Sequence, residues 1–203
     1  ALVSDGDLME GVASEAASLA GTMRLGKLVY LYDDNGISIE GSTDLTFRED
    51  VAARFRAYGW HVRRVDGNDL DALTSAISEA RQERERPSLV LARTVIAFGS
   101  PNKAGKAETH GAPLGVEEVR ATKEALGWPA EPPFHVPPEA LARFRQAVDR
   151  GRQQEKEWHA LFADYQRAHP EDAALFRQVI AGELPRGWDA AFPRFTPADG
   201  EVA

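Results

Sequence analysis

The chain has 203 residues, 43% of them hydrophobic and 28% charged, with a formal net charge of −8 and a pI near 5.2. That suits one large globular domain or one domain with an appendage, and the acidic balance argues against a nucleic-acid surface. Cysteine is absent, which excludes a disulfide framework, a thiolate nucleophile and cysteine-ligated zinc, and no apolar run approaches the ~20 residues of a membrane span.

No signal-peptide pattern is visible, so a cytoplasmic enzyme is the default expectation. The chain opens at Ala1, without methionine, in what reads as a buried strand. A domain rarely begins there, so further residues are expected upstream.

Ala1-Leu2-Val3 reads as a buried strand, with Ser4 and Asp5 able to cap the helix that follows. Leu8, Val12, Ala16, Leu19 and Met23 recur at helical spacing and predict its core face. Alanines at 13, 16, 17 and 20 suit close packing on a sheet or partner helix. Leu28–Tyr32 is a strand bounded by the turn Asp33-Asp34-Asn35-Gly36. Phe47, Val51, Phe55 and Tyr58 mark a second helix, Trp60–Val65 alternates as a strand, and Leu70, Leu73, Ile77 and Ala80 mark a third helix. Ser88–Ile96 is apolar enough to be a central strand. This βαβαβαβ order predicts an α/β fold: a partial parallel sheet with helices on both faces.

A long non-periodic loop, 97–114, then carries His110; loops of this length in compact domains are functional or disordered. Val116–Leu126 is a helix closed by Gly127. Trp128–Pro138 holds five of the twelve prolines and reads as a linker. Amphipathic helices follow, on Leu141/Phe144/Val148, then Trp158/Phe162/Tyr165, then Leu175/Val179. Trp188, Phe192 and Phe195 form an irregular aromatic tail. The expected division is 1–130, an α/β region, and 131–203, a helical extension.

Two strand ends concentrate oxygen donors. Asp5-Gly6 and Asn35 lie thirty positions apart, enough for strand end, helix and strand. Mg²⁺ wants an octahedron of hard oxygens, commonly one or two carboxylates completed by phosphate and water. Asp5 could give a carboxylate, Asn35 an amide oxygen and Ile37 a backbone carbonyl. Gly6 would let a phosphate approach the backbone. An ordinary helix cap and an ordinary Asp-Asn-Gly turn account for the same residues. His110 suits a phosphate contact or proton transfer, or is simply an exposed loop histidine. Glu10 and Glu15 are a first-turn acid and a solvated acid, unless their helix packs on a partner and buries them. The other four histidines are given no chemical role. The run Gly99–Lys106 is not a P-loop: five residues separate its glycines, and Ala107 stands where Ser or Thr should meet the metal.

Several ordered blocks resemble transketolase: Ser4-Asp5-Gly6-Asp7-Leu8-Met9-Glu10-Gly11, Glu15-Ala16-Ala17-Ser18-Leu19-Ala20-Gly21, Tyr32-Asp33-Asp34-Asn35-Gly36-Ile37-Ser38-Ile39, Ala57-Tyr58-Gly59-Trp60, Gly99–Gly105 and His110–Gly115. The resemblance runs from Ala1 to about Trp188 and is greatest to the bacterial branch. It implies the thiamine diphosphate-binding fold, with this chain the second half of the diphosphate-binding domain plus the linker towards an absent pyrimidine-binding domain. It implies transfer of a two-carbon ketol (glycolaldehyde) unit from a ketose phosphate to an aldose phosphate in the pentose phosphate pathway. The cofactors implied are thiamine diphosphate and Mg²⁺, for which Ca²⁺ can substitute.

The same resemblance implies site roles. Asp5, Asn35 and the carbonyl of Ile37 would hold the metal. Gly6, Asn35, Ile96 and His110 would contact the cofactor. His110 would also be catalytic, and Glu10 and Glu15 would link the two sites of a homodimer.

Two departures stand out. Ser4 replaces the usual glycine of the motif. The upstream histidines and the downstream domains, including the glutamate that activates the cofactor, are not in this chain, which alone is therefore expected to be inactive. Alternative expectations are a related thiamine diphosphate enzyme such as dihydroxyacetone synthase, or a non-catalytic subunit dimerising through the small-residue helix.

Overall fold

The structure is a computed structural model that describes residues 1–196, 198 and 200. The chain falls into two compact units, Ala1–Phe134 and His135–Ala203.

The first unit is built on four parallel strands: β1 (Leu2–Ser4), β2 (Val29–Asp34), β3 (His61–Asp66) and β4 (Ser88–Arg93). Their spatial order is β1-β2-β4-β3. Helices α1 (Asp5–Met9), α2 (Gly11–Thr22), α3 (Val51–Ala57) and α4 (Leu70–Gln82) supply the crossovers, and α5 (Val116–Ala125) follows the long loop. β4 is central and its residues Ser88–Ala92 are all buried, as its unbroken apolar run requires of a strand covered on both faces.

Side-chain alternation divides the sheet between two cores. Tyr32, Leu89 and Leu91 pack on one face with Ala17 and Ala20 of α2, Val51, Ala52 and Phe55 of α3, and Trp60. Val90, with Val29, Leu31 and Val65, packs on the other against Ala76, Ala80 and Leu73 of α4. Trp60 is fully used: its ring meets Phe55 edge-on at 5.0 Å, and its Nε1 donates to the Ala17 carbonyl at 2.8 Å. The expected fold, a parallel sheet with helices on both faces, is the one found.

Three local expectations are overturned. β1 is the edge strand of this sheet, not a buried one, and Leu2 is 79% exposed. The helix after β1 is broken at Glu10, whose extended backbone (φ −65°, ψ 133°) ends α1 and begins α2. That break rotates α2, so Val12, Leu19 and Met23 are exposed and the small residues Ala17 and Ala20 face the core. The close approach is severe at Gly21, where a Cβ would lie 1.8 Å from the Tyr58 carbonyl oxygen.

In the second unit, α6 (Pro138–Ala168) is one helix of 31 residues where two were expected. Gly151 costs about 1 kcal/mol relative to Ala, and the surrounding Arg, Gln, Glu and Lys are good helix formers, so the helix continues. α7 (Pro170–Ile180) packs back on α6 through Trp158, Phe162 and Phe176, with Arg177 5.1 Å above the Phe162 ring.

Candidate functional site

Parallel pairing brings the two donor segments side by side. Ser4 stands opposite Asp33 in the β1–β2 register, so Asp5 and the Asp34-Asn35-Gly36 turn leave adjacent strand ends. This carboxyl-end crevice is where open α/β sheets bind ligands.

Ser4 starts α1 with an extended backbone. Its N–H and Oγ donate to Asp7 Oδ2 at 2.7 and 2.8 Å, which holds the Asp7 carboxyl below the usual range. The turn so fixed drives Asp5 inward, where it is only 3% exposed. The Tyr32 hydroxyl, from the middle of β2, donates to Asp5 Oδ1. Asp5 Oδ2 is buried, and no donor among the described residues meets it in hydrogen-bond geometry. Burial pushes the Asp5 carboxyl above its ordinary range, and the charges of Asp34 and Asp33 add to this; the Tyr32 hydrogen bond and, more weakly, the nearby Gly36 N–H oppose it. Burial and the bond to Asp5 likewise raise Tyr32.

The second strand end is a locked turn. Asn35 Nδ2 donates to Asp33 Oδ2 at 3.0 Å, and Asn35 Oδ1 accepts the Ile37 N–H at 2.9 Å. Thr94, just past β4, donates from its hydroxyl to Asp33 Oδ1, tying a third strand end into the network. Gly36 has φ +73°, and a Cβ there would lie 3.3 Å from Arg93 Nη1. Arg93 closes over the turn, donating to the Asp34 carbonyl at 3.0 Å and to its carboxylate at 3.2 Å. A cavity of about 280 Å³ opens here, lined in part by Asp5, Tyr32, Gly36, Phe47 and Arg93.

An unpartnered, buried, acceptor-only oxygen costs about 1–3 kcal/mol or more for a charged group. A divalent cation at Asp5 Oδ2 would remove that cost. Asn35 Oδ1 keeps one lone pair beyond its bond to Ile37. Hard oxygens of this kind suit Mg²⁺ or Ca²⁺. Among the described residues no group of three or more His, Cys, Asp or Glu could hold a metal by itself. A site here therefore depends on one carboxylate, an amide, a carbonyl and a ligand's own oxygens.

The other expected residues are placed differently. His110 ends a 3₁₀ turn, Ala107–His110, and is exposed. Ile96 is half-buried just after β4, and its carbonyl accepts the Gly105 N–H at 2.9 Å. Neither lines the cavity with Asp5. Gly6 is exposed, and a Cβ there would meet only Ser4 Oγ, at 3.9 Å. Glu10 and Glu15 are both exposed, Glu10 at the break and Glu15 on α2.

Sequence reasoning missed Tyr32, Thr94 and Arg93. Only Tyr32 carried a signal: a tyrosine on the inward phase of a strand needs a partner for its hydroxyl.

Residues 1–185 match the family described as "Transketolase, thiamine diphosphate binding domain". The chain belongs to the transketolase family. A transketolase from Halalkalibacterium halodurans is 52% identical over 195 residues, covering 96% of this chain and 29% of that protein. Transketolase 1 of Escherichia coli is 47% identical over 196 residues, with coverage of 96% and 29%. Among solved structures, a Pichia stipitis transketolase complexed with sedoheptulose 7-phosphate superposes with a TM-score of 0.80 at 43% identity, covering 99% of this chain and 30% of that one. The Leishmania mexicana transketolase gives 0.81 at 39% identity, with coverage of 96% and 29%. This transketolase-family chain thus spans under a third of the length of each of these four relatives.

Proposed function

We propose that this chain supplies the metal–diphosphate anchor of a transketolase. The assembled enzyme would move a two-carbon ketol unit from a ketose phosphate to an aldose phosphate in the pentose phosphate pathway, in the cytoplasm. The observation that carries the reading is the buried Asp5 Oδ2 without a hydrogen-bond partner, in a cavity that Asp34 and Gly36 of the neighbouring strand end also line. Asp5, Asn35 and the Ile37 carbonyl would hold Mg²⁺, with Ca²⁺ able to substitute. Gly6 would admit the diphosphate to the backbone, and Ile96 would pack near the cofactor. Thiamine diphosphate, when bound, supplies the carbon–carbon bond chemistry.

The chain's own residues position and polarise. Tyr32 holds one oxygen of Asp5, which would leave the other free for the metal. Asp33 and Thr94 fix the Asn35 amide, and Arg93 closes the turn from outside. Fixed donors of this kind need no reorganisation when the ligand binds. His110 would hold or move a proton at substrate oxygens, or contact the diphosphate.

Residues 1–130 would be the later part of the diphosphate-binding domain and 131–203 the extension towards a pyrimidine-binding domain. Glu10 and Glu15, exposed in this chain beside the apolar Val12 and Leu19, would lie at a homodimer interface and link its two sites. The chain alone is then inactive.

Calorimetry tests the anchor. The assembled enzyme should bind thiamine diphosphate only with Mg²⁺ or Ca²⁺ present, and residues 1–203 alone should bind far more weakly. Metal-independent binding by the assembled enzyme, or an Asp5→Ala form that keeps its metal-dependent activity, would refute the assignment.

A further inference from the structure

β4 ends at Arg93, so Ile96, expected within the strand, joins His110 on the segment that follows it, and among the described residues neither lines the Asp5 cavity. What holds that segment is the helix beyond. Glu118 stands in the first turn of α5. Its Oε1 accepts from the Ser100 hydroxyl and, at 2.9 Å, from the Asn102 N–H. Its Oε2 accepts from Asn102 Nδ2 at 2.9 Å. Ser100 is buried, and its Oγ also accepts the Lys103 N–H at 3.1 Å.

A second contact lies at the other end of α5. Gly99, at φ +85°, sits so close to Leu126 that a Cβ would come within 2.6 Å of Leu126 Cδ2. Just before both contacts, Ala97 takes the left-handed backbone (φ +54°) that a residue with a Cβ adopts only when its surroundings compel it. From this clip a relay of backbone turns leads on: Lys106 to the Lys103 carbonyl at 3.3 Å, then Thr109 to the Lys106 carbonyl at 3.1 Å, next to His110. Gly105 returns to Ile96 at 2.9 Å.

We propose that Glu118 is a positioning residue, clamping the loop from Ile96 to His110 onto α5 so that both residues are presented together to the site. The role in turnover rests on the transketolase reading; the clamp itself does not. The carboxylate acts through Ser100 and Asn102. Glu117, its neighbour in the same first turn, makes no hydrogen bond or ion pair to the loop, although its charge complements the helix dipole equally well. It is the built-in control for a merely helix-stabilising acid.

The test uses the assembled holoenzyme with E118A, E118Q and E117A. Two things are read: the rate of tryptic cleavage after Lys103 and Lys106, and kcat and KM for a ketose phosphate donor. Losing three hydrogen bonds to a charged group should speed loop cleavage by at least about tenfold in E118A. It should also raise KM by about tenfold, with E118Q intermediate and E117A unchanged. The pair E118Q/N102D, which exchanges donor and acceptor, should recover part of both effects. Equal behaviour of E118A and E117A overturns the proposal, as does faster cleavage with unchanged kinetics, or altered kinetics with an uncleaved loop. If E118A does not fold, E118Q against E118Q/N102D decides on the same readouts. A wild-type holoenzyme without thiamine diphosphate binding would defeat the functional reading instead, and would leave the cleavage comparison to judge the clamp.

Discussion

The Asp5 corner and the His110 loop both leave the carboxyl ends of parallel strands, but they are held in different ways. Asp5 is buried, Tyr32 reaches it from within the sheet, and the Asn35 turn is tied to β2 and β4 through Asp33, Thr94 and Arg93. Its geometry follows from strand register. His110 is exposed, and its loop is tied to the fold through backbone turns, the clip on Glu118 and the contact of Gly99 with Leu126. The difference matches the two tasks proposed. Mg²⁺ demands donors fixed to a few tenths of an ångström. A histidine that meets a substrate entering and leaving needs only a defined approach.

Removing the metal-facing oxygen should have the largest effect. In Asp5→Ala, Mg²⁺ affinity by calorimetry should fall by more than about 100-fold and activity should vanish, because even partners one step removed from a metal are worth 10–100-fold. His110→Ala comes next. Turnover should fall by about 10²-fold or more. Mg²⁺ affinity should stay within about twofold, and stability within about 0.5 kcal/mol, as for an exposed residue. A His110 variant that loses Mg²⁺ would erase the division between corner and loop. Tyr32→Phe is the intermediate case: it frees the second oxygen of Asp5, so metal affinity should drop about tenfold with the sugar-phosphate KM unchanged. If KM moves and metal affinity does not, Tyr32 belongs to substrate binding.

The sequence showed the parts that depend on periodicity. The parallel sheet followed from alternating strand and helix patterns, and the centrality of β4 from its unbroken run Ser88–Ala92. Asp5 and Asn35 could be paired because right-handed crossovers put successive parallel strand ends together. What stayed hidden depended on tertiary packing. The break at Glu10 could not be read, since Leu8, Val12, Leu19 and Met23 satisfy a helical period, while the face used is Ala17 and Ala20, chosen by the room that Tyr58 and Trp60 leave. β1 reads as buried from its composition; in this sheet it is the edge. Arg93 and Glu118 carry no periodic signal. Each acts on a residue distant in sequence, Arg93 on Asp34 across a strand pair and Glu118 on Ser100 across a loop.

The smallest expected effect concerns the loop alone and appears only in acid. Hydrogen bonds from the Asn102 side chain, then from Ser100 and the Asn102 N–H, lower the Glu118 carboxyl from 4.5 to about 2. In the unfolded chain the group takes up its proton near 4.5; in the folded chain it does so only near 2. Between those values the unfolded state binds more protons, so stability falls as pH drops through the window. Above about 4.5 the contribution of Glu118 is complete, and near 2 it is gone. Asp7, Asp50 and Glu83 are also held below their ordinary range and act with the same sign, so wild type alone cannot isolate the contribution of Glu118. The measurement is therefore a difference: urea midpoints of wild type and E118Q at pH 7, 4 and 3. The gap should be widest at pH 7 and narrow steadily towards pH 3. Because solvent reaches Glu118, screening keeps the whole effect modest. A wild-type-to-E118Q gap that does not change across the window would mean that the carboxylate is not bonded to Ser100 and Asn102 in solution, and the loop would then be held by Gly99 against Leu126 alone.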